Sequence, residues 1–158
     1  MGNYRKNAGI IVFNRDRKVL LCERVGNYEN AWQFPQGGID GGETAEQAAA
    51  RELREETSLT SVRYVTSMPE PLIYDFPPEI KKRNAARGIF NDGQQQYWSL
   101  YLLTGDESEI NLDTAEPEFK NWRWVEIEKA ADNVVAFKKE VYRRIIEYFK
   151  PLIEKYEF

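Results

Sequence analysis

A chain of 158 residues with 42% hydrophobic and 30% charged side chains suits one globular domain over residues 1–158, long enough to bury a core and short for two. Its formal charge of −4 speaks against charge-driven binding to long nucleic acid, while a local patch able to recognise a nucleotide or an RNA end stays open. It contains no histidine, which removes His-based triads, His general bases and the usual zinc and copper ligand sets together. Acid–base or metal chemistry must then run on carboxylates, and oxygen-only ligand sets suit hard cations such as Mg²⁺ and Mn²⁺.

The N-terminus (MGNYRKNAG) lacks the apolar core of a signal peptide, and Lys6 stands where N-terminal acylation needs a small hydroxyl residue. No apolar run approaches the roughly 18 to 20 residues of a membrane span, so the expected location is cytoplasmic. Ala8 to Phe13 and Lys18 to Glu23 read as a strand hairpin around Asn14-Arg15-Asp16-Arg17, and the single Cys22 falls in the second strand as a buried thiol. Gly26 to Ala31 is a loop, followed by Trp32-Gln33-Phe34-Pro35-Gln36-Gly37-Gly38 and the breaker Asp40-Gly41-Gly42. Thr44 with Gln47 makes a capping box, and Glu43 and Glu46 favour the start of a helix running from Thr44 to Ser58. Val62 to Ser67 and Leu72 to Phe76 read as short strands, with Pro77-Pro78 ending the second. Glu79 to Gly93 is polar and basic and is expected to be a flexible excursion. Gln96 to Leu103 is a strong strand and Trp122 to Val125 a shorter one, while Trp32, Trp98, Trp122 and Trp124 are assigned to packing. Val141 to Tyr156 carries apolar residues at helical spacing, with Pro151 expected to kink or interrupt the helix. Interspersed strands and helices point to an α/β fold, a central sheet with helices on its faces.

In the helix from Thr44, a turn of about 100° per residue puts Ala45, Ala48 and Ala49 in one stripe with Glu52, Glu55 and Glu56. Glu52 and Glu56 are a like-charge pair one turn apart, which costs an isolated helix a few tenths of a kcal/mol. Gathering three carboxylates beside a packed face costs more unless a cation neutralises them. The alternative is a solvated face of Arg–Glu pairs, for which Arg51 and Glu55 have the right spacing. A Gly-Gly turn ahead of the helix lets backbone approach a ligand closely, which a plain surface helix does not require.

The stretch Gly37 to Leu59, GGIDGGETAEQAAARELREETSL, resembles the Nudix box: Gly, five residues, Glu, seven residues, Arg-Glu, an aliphatic residue, any residue, Glu-Glu, any residue, Gly, an aliphatic residue. Gly37, Glu43, Arg51, Glu52, Leu53, Glu55, Glu56 and Leu59 match, and Ser58 departs from the pattern where the family has a helix-ending glycine. Outside the box, Tyr4-Arg5-Lys6-Asn7, Trp32 to Asp40, Tyr74-Asp75-Phe76-Pro77, Gly93 to Gln96, Pro117-Glu118-Phe119 with Trp122-Arg123-Trp124, and Val135 to Lys139 are similar to two related groups. These are the bacterial RNA pyrophosphohydrolases and the plant-type dinucleoside tetraphosphate hydrolases. The tail Val134 to Arg144 is closer to the former.

The resemblance implies a Nudix-type α/β/α sandwich with a central mixed sheet, the box loop and helix (37–59), and a C-terminal helix. It implies Mg²⁺, or Mn²⁺, held by Glu52, Glu55 and Glu56, by the backbone carbonyl of Gln36 and by Glu118 from a distant loop. Ions there would bind bridging phosphates and lower the pKa of an attacking water. Glu56 is the implied general base, with Glu52 and Glu118 the other choices. Gly37, Gly38, Glu43 and Arg51 are implied to be structural. Arg5 and Arg24 match positions that approach phosphates, while Tyr74, Phe137 and Lys138 match positions around a base. For Tyr74 and Phe137 core packing is the competing assignment, and for the arginines an unpartnered surface site. The implied partners are RNA 5′ ends or dinucleoside polyphosphates, with no membrane and no obligate protein partner. The leading expectation is release of pyrophosphate from 5′-triphosphate RNA; the alternatives are cleavage of diadenosine tetraphosphate to ATP and AMP, and a non-catalytic nucleotide-sensing module.

Overall fold

The computed structural model describes residues 2–158. An eight-stranded mixed sheet forms the centre, built around two long strands, β1 (Tyr4–Phe13) and β7 (Gly93–Leu103), paired in parallel from Tyr4↔Gly93 to Phe13↔Leu102. The other edge of β1 is shared: β2 (Val19–Arg24) pairs with it at Phe13↔Val19, and β4 (Gln36–Gly38) pairs with Asn7 to Gly9. The far edge of β7 is divided in the same way between β5 (Val62–Ser67) and β6 (Leu72–Asp75). β3 (Trp32–Gln33) and β8 (Phe119–Val125) extend the sheet through β2. The edge partner of β1 and of β7 thus changes midway along each strand, and β4 brings the Gly37-Gly38 turn alongside Asn7 and Ala8 in the middle of β1.

Alternation along β1 separates two cores. Ile10 and Val12 face one side, where the helix α1 (Ala45–Thr57) adds Ala48, Ala49 and Leu53. Ile11 and Phe13 face the other, against the helix α3 (Lys139–Glu154), which adds Val141, Tyr142, Ile145, Phe149 and Ile153. One helix on each face is the expected α/β/α arrangement, and the period-2 pattern of a strand buried on both faces is its cause. The Cys22 thiol is buried, and burial raises its pKa first and the Glu56 charge second. Trp98 is fully buried, while Trp32, Trp122 and Trp124 are partly buried against the two cores.

Three expectations change. The excursion after β6 contains a helix, α2 (Pro78–Ala85), with Pro78 at its first turn, where the fixed φ and the missing N–H are compatible with helix. Pro151 lies inside α3 without interrupting it; the helix continues to Glu154, since the lost hydrogen bond falls near the C-terminus while Phe149 and Ile153 stay packed on the sheet. The buried stripe of α1 is Ala48, Ala49, Leu53, Glu56 and Thr57, so Glu55 and Ala45 lie off it. Among the described residues no helix is long and apolar enough to cross a membrane.

Candidate active site

The acidic helix is entered through the predicted capping box: Thr44 Oγ1 accepts from the Gln47 amide at 3.1 Å, and Gln47 Oε1 accepts from the Thr44 amide at 2.9 Å. It ends at Ser58, which takes the left-handed conformation of the family's glycine (φ 69°) and donates its hydroxyl to the Asn111 carbonyl at 2.8 Å. A Cβ at Gly37 would overlap the Glu52 carboxylate, so any other residue there would push that side chain out of its present position. At Gly38 a Cβ would meet the Arg5 guanidinium, the end of a flexible side chain. The turn and the helix thus meet face to face.

Arg51 is the hub of this meeting. Its guanidinium forks onto Glu43 (Nε–Oε2 2.7 Å, Nη2–Oε1 3.0 Å) and reaches the Gly38 carbonyl at 2.9 Å. It also bonds Glu52 at 2.8 Å and Glu55 at 3.2 Å. The fork holds the Glu43 pKa below the usual carboxylate range, aided by the Asp40 amide. Glu52 moves the other way: partial burial raises it, against the lowering effect of Arg51. The Arg51–Glu55 contact expected from spacing and the structural role of Glu43 and Arg51 implied by the resemblance thus meet in one side chain.

Glu56 has a different environment. Only 7% of it is exposed, and its Oε2 atom is buried with no hydrogen-bond partner among the described residues. Burial, then the charges of Glu52 and Glu118, push its pKa up to about 9, against the downward pull of the Gln36 amide. A buried carboxyl oxygen without a partner is costly, and a cation opposite it would restore the carboxylate and repay the desolvation. Among the described residues no group of three acidic or cysteine side chains is gathered tightly enough to hold an ion as it stands. Arg51 bonds both Glu52 and Glu55, so an ion would have to compete with that guanidinium for them. The donor set is all oxygen, and the orphaned Glu56 atom fits a hard divalent cation.

Glu118 arrives from the opposite side. Its backbone carbonyl accepts from the Val25 amide at 3.0 Å, pinning the loop before β8 to the end of β2, where the register shifts between Glu23 and Arg24. Together Glu52, Glu55, Glu56 and Glu118, with Arg54, Ser58, Thr114, Ala115 and Glu116, line a cleft of about 580 Å³.

The residues predicted around phosphate and base form a second cluster. Arg24 stacks on Tyr28 (4.8 Å) and has a buried Nε without a partner. Lys138 is buried, and burial first and Arg24 second push its pKa down to about 8. Two neighbouring cations without a carboxylate partner among the described residues suit an anion. Tyr74 is largely buried; its ring packs on Phe76 and Phe137, each at 5.8 Å, and its hydroxyl donates to Gln94 at 2.6 Å. Core packing therefore accounts for much of Tyr74, while Phe137 is half-buried at the rim. Arg5 is exposed beside Gly38.

Two buried polar residues escaped the sequence reading. Gln96 directs one amide nitrogen at three carbonyl oxygens, Gln36 (2.8 Å), Asn7 (3.2 Å) and Gln94 (3.3 Å), so it joins the box turn to the Tyr74 partner. Tyr142 accepts the Phe34 amide at 2.9 Å. The sequence signals for Gln96 were its place in the Gly93 to Gln96 segment that carries the resemblance and a polar run leading into an apolar strand, neither of which gives it a partner.

Comparison with known proteins agrees with this geometry. The NUDIX domain family model matches residues 3–145. The chain is 44% identical to Nudix hydrolase 27, chloroplastic, of Arabidopsis thaliana, over 94% of this chain and 66% of that protein, so it spans just under two thirds of that relative. It is 40% identical to a protein named RNA pyrophosphohydrolase from Sphingopyxis alaskensis, over 95% of each chain. In fold it is similar to a C. elegans Ap4A hydrolase in a binary complex, with a TM-score of 0.65 at 23% identity over 93% of this chain and 98% of that one. The chain belongs to the Nudix hydrolase family, whose members generally work with divalent metal ions.

Proposed function

We propose that this chain, acting as one domain over residues 1–158, removes pyrophosphate from the 5′-triphosphate end of RNA and leaves a 5′-monophosphate. The observation that carries a hydrolytic site is Glu56, a buried carboxylate with an unpartnered oxygen facing a cleft shared with Glu52 and Glu118. Support for the substrate comes from the 40% identity, over 95% of each chain, to a bacterial protein named RNA pyrophosphohydrolase. Glu52, Glu55, Glu56, Glu118 and the Gln36 carbonyl would hold Mg²⁺ or Mn²⁺. Bound there, the ions would supply charge neutralisation on the bridging phosphates and a more acidic water. Glu56, once ionised, accepts the water proton. Arg51 keeps the turn and the acidic helix in register through Glu43 and the Gly38 carbonyl. Arg24, Lys138 and Arg5 take the phosphates, and Phe137 with the open edge of Tyr74 takes the terminal base. This reading puts the enzyme in the cytoplasm and in RNA turnover.

The test compares two reactions on one preparation with Mg²⁺ and with Mn²⁺. Pyrophosphate release from 5′-triphosphate RNA should be faster than formation of ATP and AMP from diadenosine tetraphosphate. The reverse ratio would transfer the site to dinucleotides, and no turnover of either would remove the enzymatic reading.

A further inference from the structure

Residues 77–91 leave the sheet and return to the point they left. The Phe76 amide donates to the Asp92 carbonyl at 2.8 Å, and Asp75 pairs with Gly93 across β6 and β7. Inside this closed excursion α2 buries none of its residues. A helix so short draws little stability from propensity alone. It is held by an ion pair from Lys81 to Asp92 (3.1 Å) and by a turn at its C-terminal end, where the Ile89 amide donates to the Asn84 carbonyl at 2.9 Å. Lys82, Arg83 and Arg87 remain exposed and without an acidic partner among the described residues. Next to them Phe90 is 72% exposed and Ile89 45%. A chain of net charge −4 thus keeps three unpaired cations and its most exposed large hydrophobic side chain, among the described residues, on one excursion that serves neither core.

The foot of that excursion is Phe76, whose ring packs on Tyr74 at 5.8 Å and on Phe137 at 6.4 Å. α2 therefore begins two residues beyond the aromatic cluster assigned above to the terminal base. We propose that α2 and Phe90 form a binding surface for the single-stranded RNA chain downstream of its 5′ end, with Lys82, Arg83 and Arg87 on phosphates and Phe90 stacked on a base. Two cations on a short helix, a third two residues past its end and one open aromatic ring nearby are the components of sequence-tolerant single-strand binding. As a protein-docking patch, Phe90 and Ile89 fall far short of the roughly 800 Å² per partner of a stable interface. The direction of the chain rests on the RNA-end reading; the chemistry of the surface does not.

The test needs no catalysis. A single-stranded RNA of about ten nucleotides, with a 5′-monophosphate and a 3′ fluorophore, is titrated with protein at several salt concentrations, and anisotropy is read. In Lys82→Gln/Arg83→Gln/Arg87→Gln the slope of log affinity against log salt should fall by about 2, since each phosphate contact to a single strand contributes roughly 0.7. Phe90→Ala should weaken binding about 5-fold or more by loss of one stack. Both variants should melt with the wild type and turn over a two-nucleotide 5′-triphosphate RNA at its rate, because that substrate lacks the downstream chain the surface would hold. Unchanged affinity and slope in both variants would overturn the proposal, as would an equal loss on the two-nucleotide substrate. So would a Phe90→Ala protein that sediments differently but binds RNA as before, which would make the patch a contact between copies. If the wild type releases no pyrophosphate yet binds the longer RNA through these residues, the RNA-end reading fails and the surface stands.

Discussion

The backbone N–H of Phe34 donates to the hydroxyl of Tyr142 at 2.9 Å, joining the segment that enters the box to the first turns of the C-terminal helix. Both residues are fully buried, and their rings lie 5.0 Å apart beside Trp98. Phe34 stands two residues before Gln36, and Tyr142 stands one helical turn beyond Lys138. One hydrogen bond therefore links the backbone that faces Glu56 to the helix that directly follows Phe137 and Lys138.

Tyr142→Phe keeps the ring and strands the Phe34 amide in the core. Stranding a buried donor costs about 1–3 kcal/mol. For a chain of this size the melting temperature should drop by roughly 2–4 °C per kcal/mol. If the bond also sets the distance between the two halves of the site, KM for the phosphate substrate should rise as kcat falls. Differential scanning calorimetry and steady-state kinetics on the same variant check both. A melt identical to the wild type would show that another acceptor takes the Phe34 amide and that the link is dispensable.

What could be read beforehand follows from range. The capping box, the Arg51–Glu55 contact and the bounds of β5 depend on residues close in sequence or on a two-residue period, and they appear where spacing puts them, whereas the Glu43–Arg51 pair joins two residues that only the family resemblance marks as structural. The partner of β1 does not: period says which face a residue takes, and says nothing about which strand lies alongside. The parallel β1–β7 pairing joins residues from opposite halves of the chain. Gln96 and Tyr142 were opaque for a related reason, since a buried polar side chain is meaningful only once its partner is known. α2 was missed because no apolar stripe marks a helix that buries nothing.

Ser58 tests the departure from the box pattern. Its left-handed backbone costs a non-glycine residue about 1–2 kcal/mol. The bond from its hydroxyl to the Asn111 carbonyl returns about 0.5–1.5 kcal/mol. Ser58→Gly should therefore lie within about 1 kcal/mol of the wild type, while Ser58→Ala, which keeps the strain and loses the bond, should be the less stable by about 1 kcal/mol. Urea midpoints for the two variants decide it. If Ser58→Ala matched the wild type, the hydroxyl would have no stabilising role and the helix end would be held by the Arg54 carbonyl bond alone.

Glu56 gives a pH dependence of stability with a definite sign. Its folded pKa, pushed up to about 9 by burial first and by Glu52 and Glu118 next, lies above that of an unfolded glutamate. Such a group contributes stability that is complete below the ordinary carboxylate range and is lost as pH rises towards the folded value. Metal-free protein should thus melt at progressively lower temperature between pH of about 5 and about 9. Partial burial of Glu52 adds a trend of the same sign. Glu56→Gln carries no charge in that window, so its profile should be flatter, and at pH of about 8 without metal it should melt a few degrees above the wild type. Adding Mg²⁺ should raise the wild-type melting temperature at that pH and move the variant much less, because the cation acts by stabilising a charge the variant lacks. Hydrolysis should be lost in the variant throughout. A wild-type profile that is level with pH, together with an Mg²⁺ shift equal in the two proteins, would mean that Glu56 is not the carboxylate the cation needs.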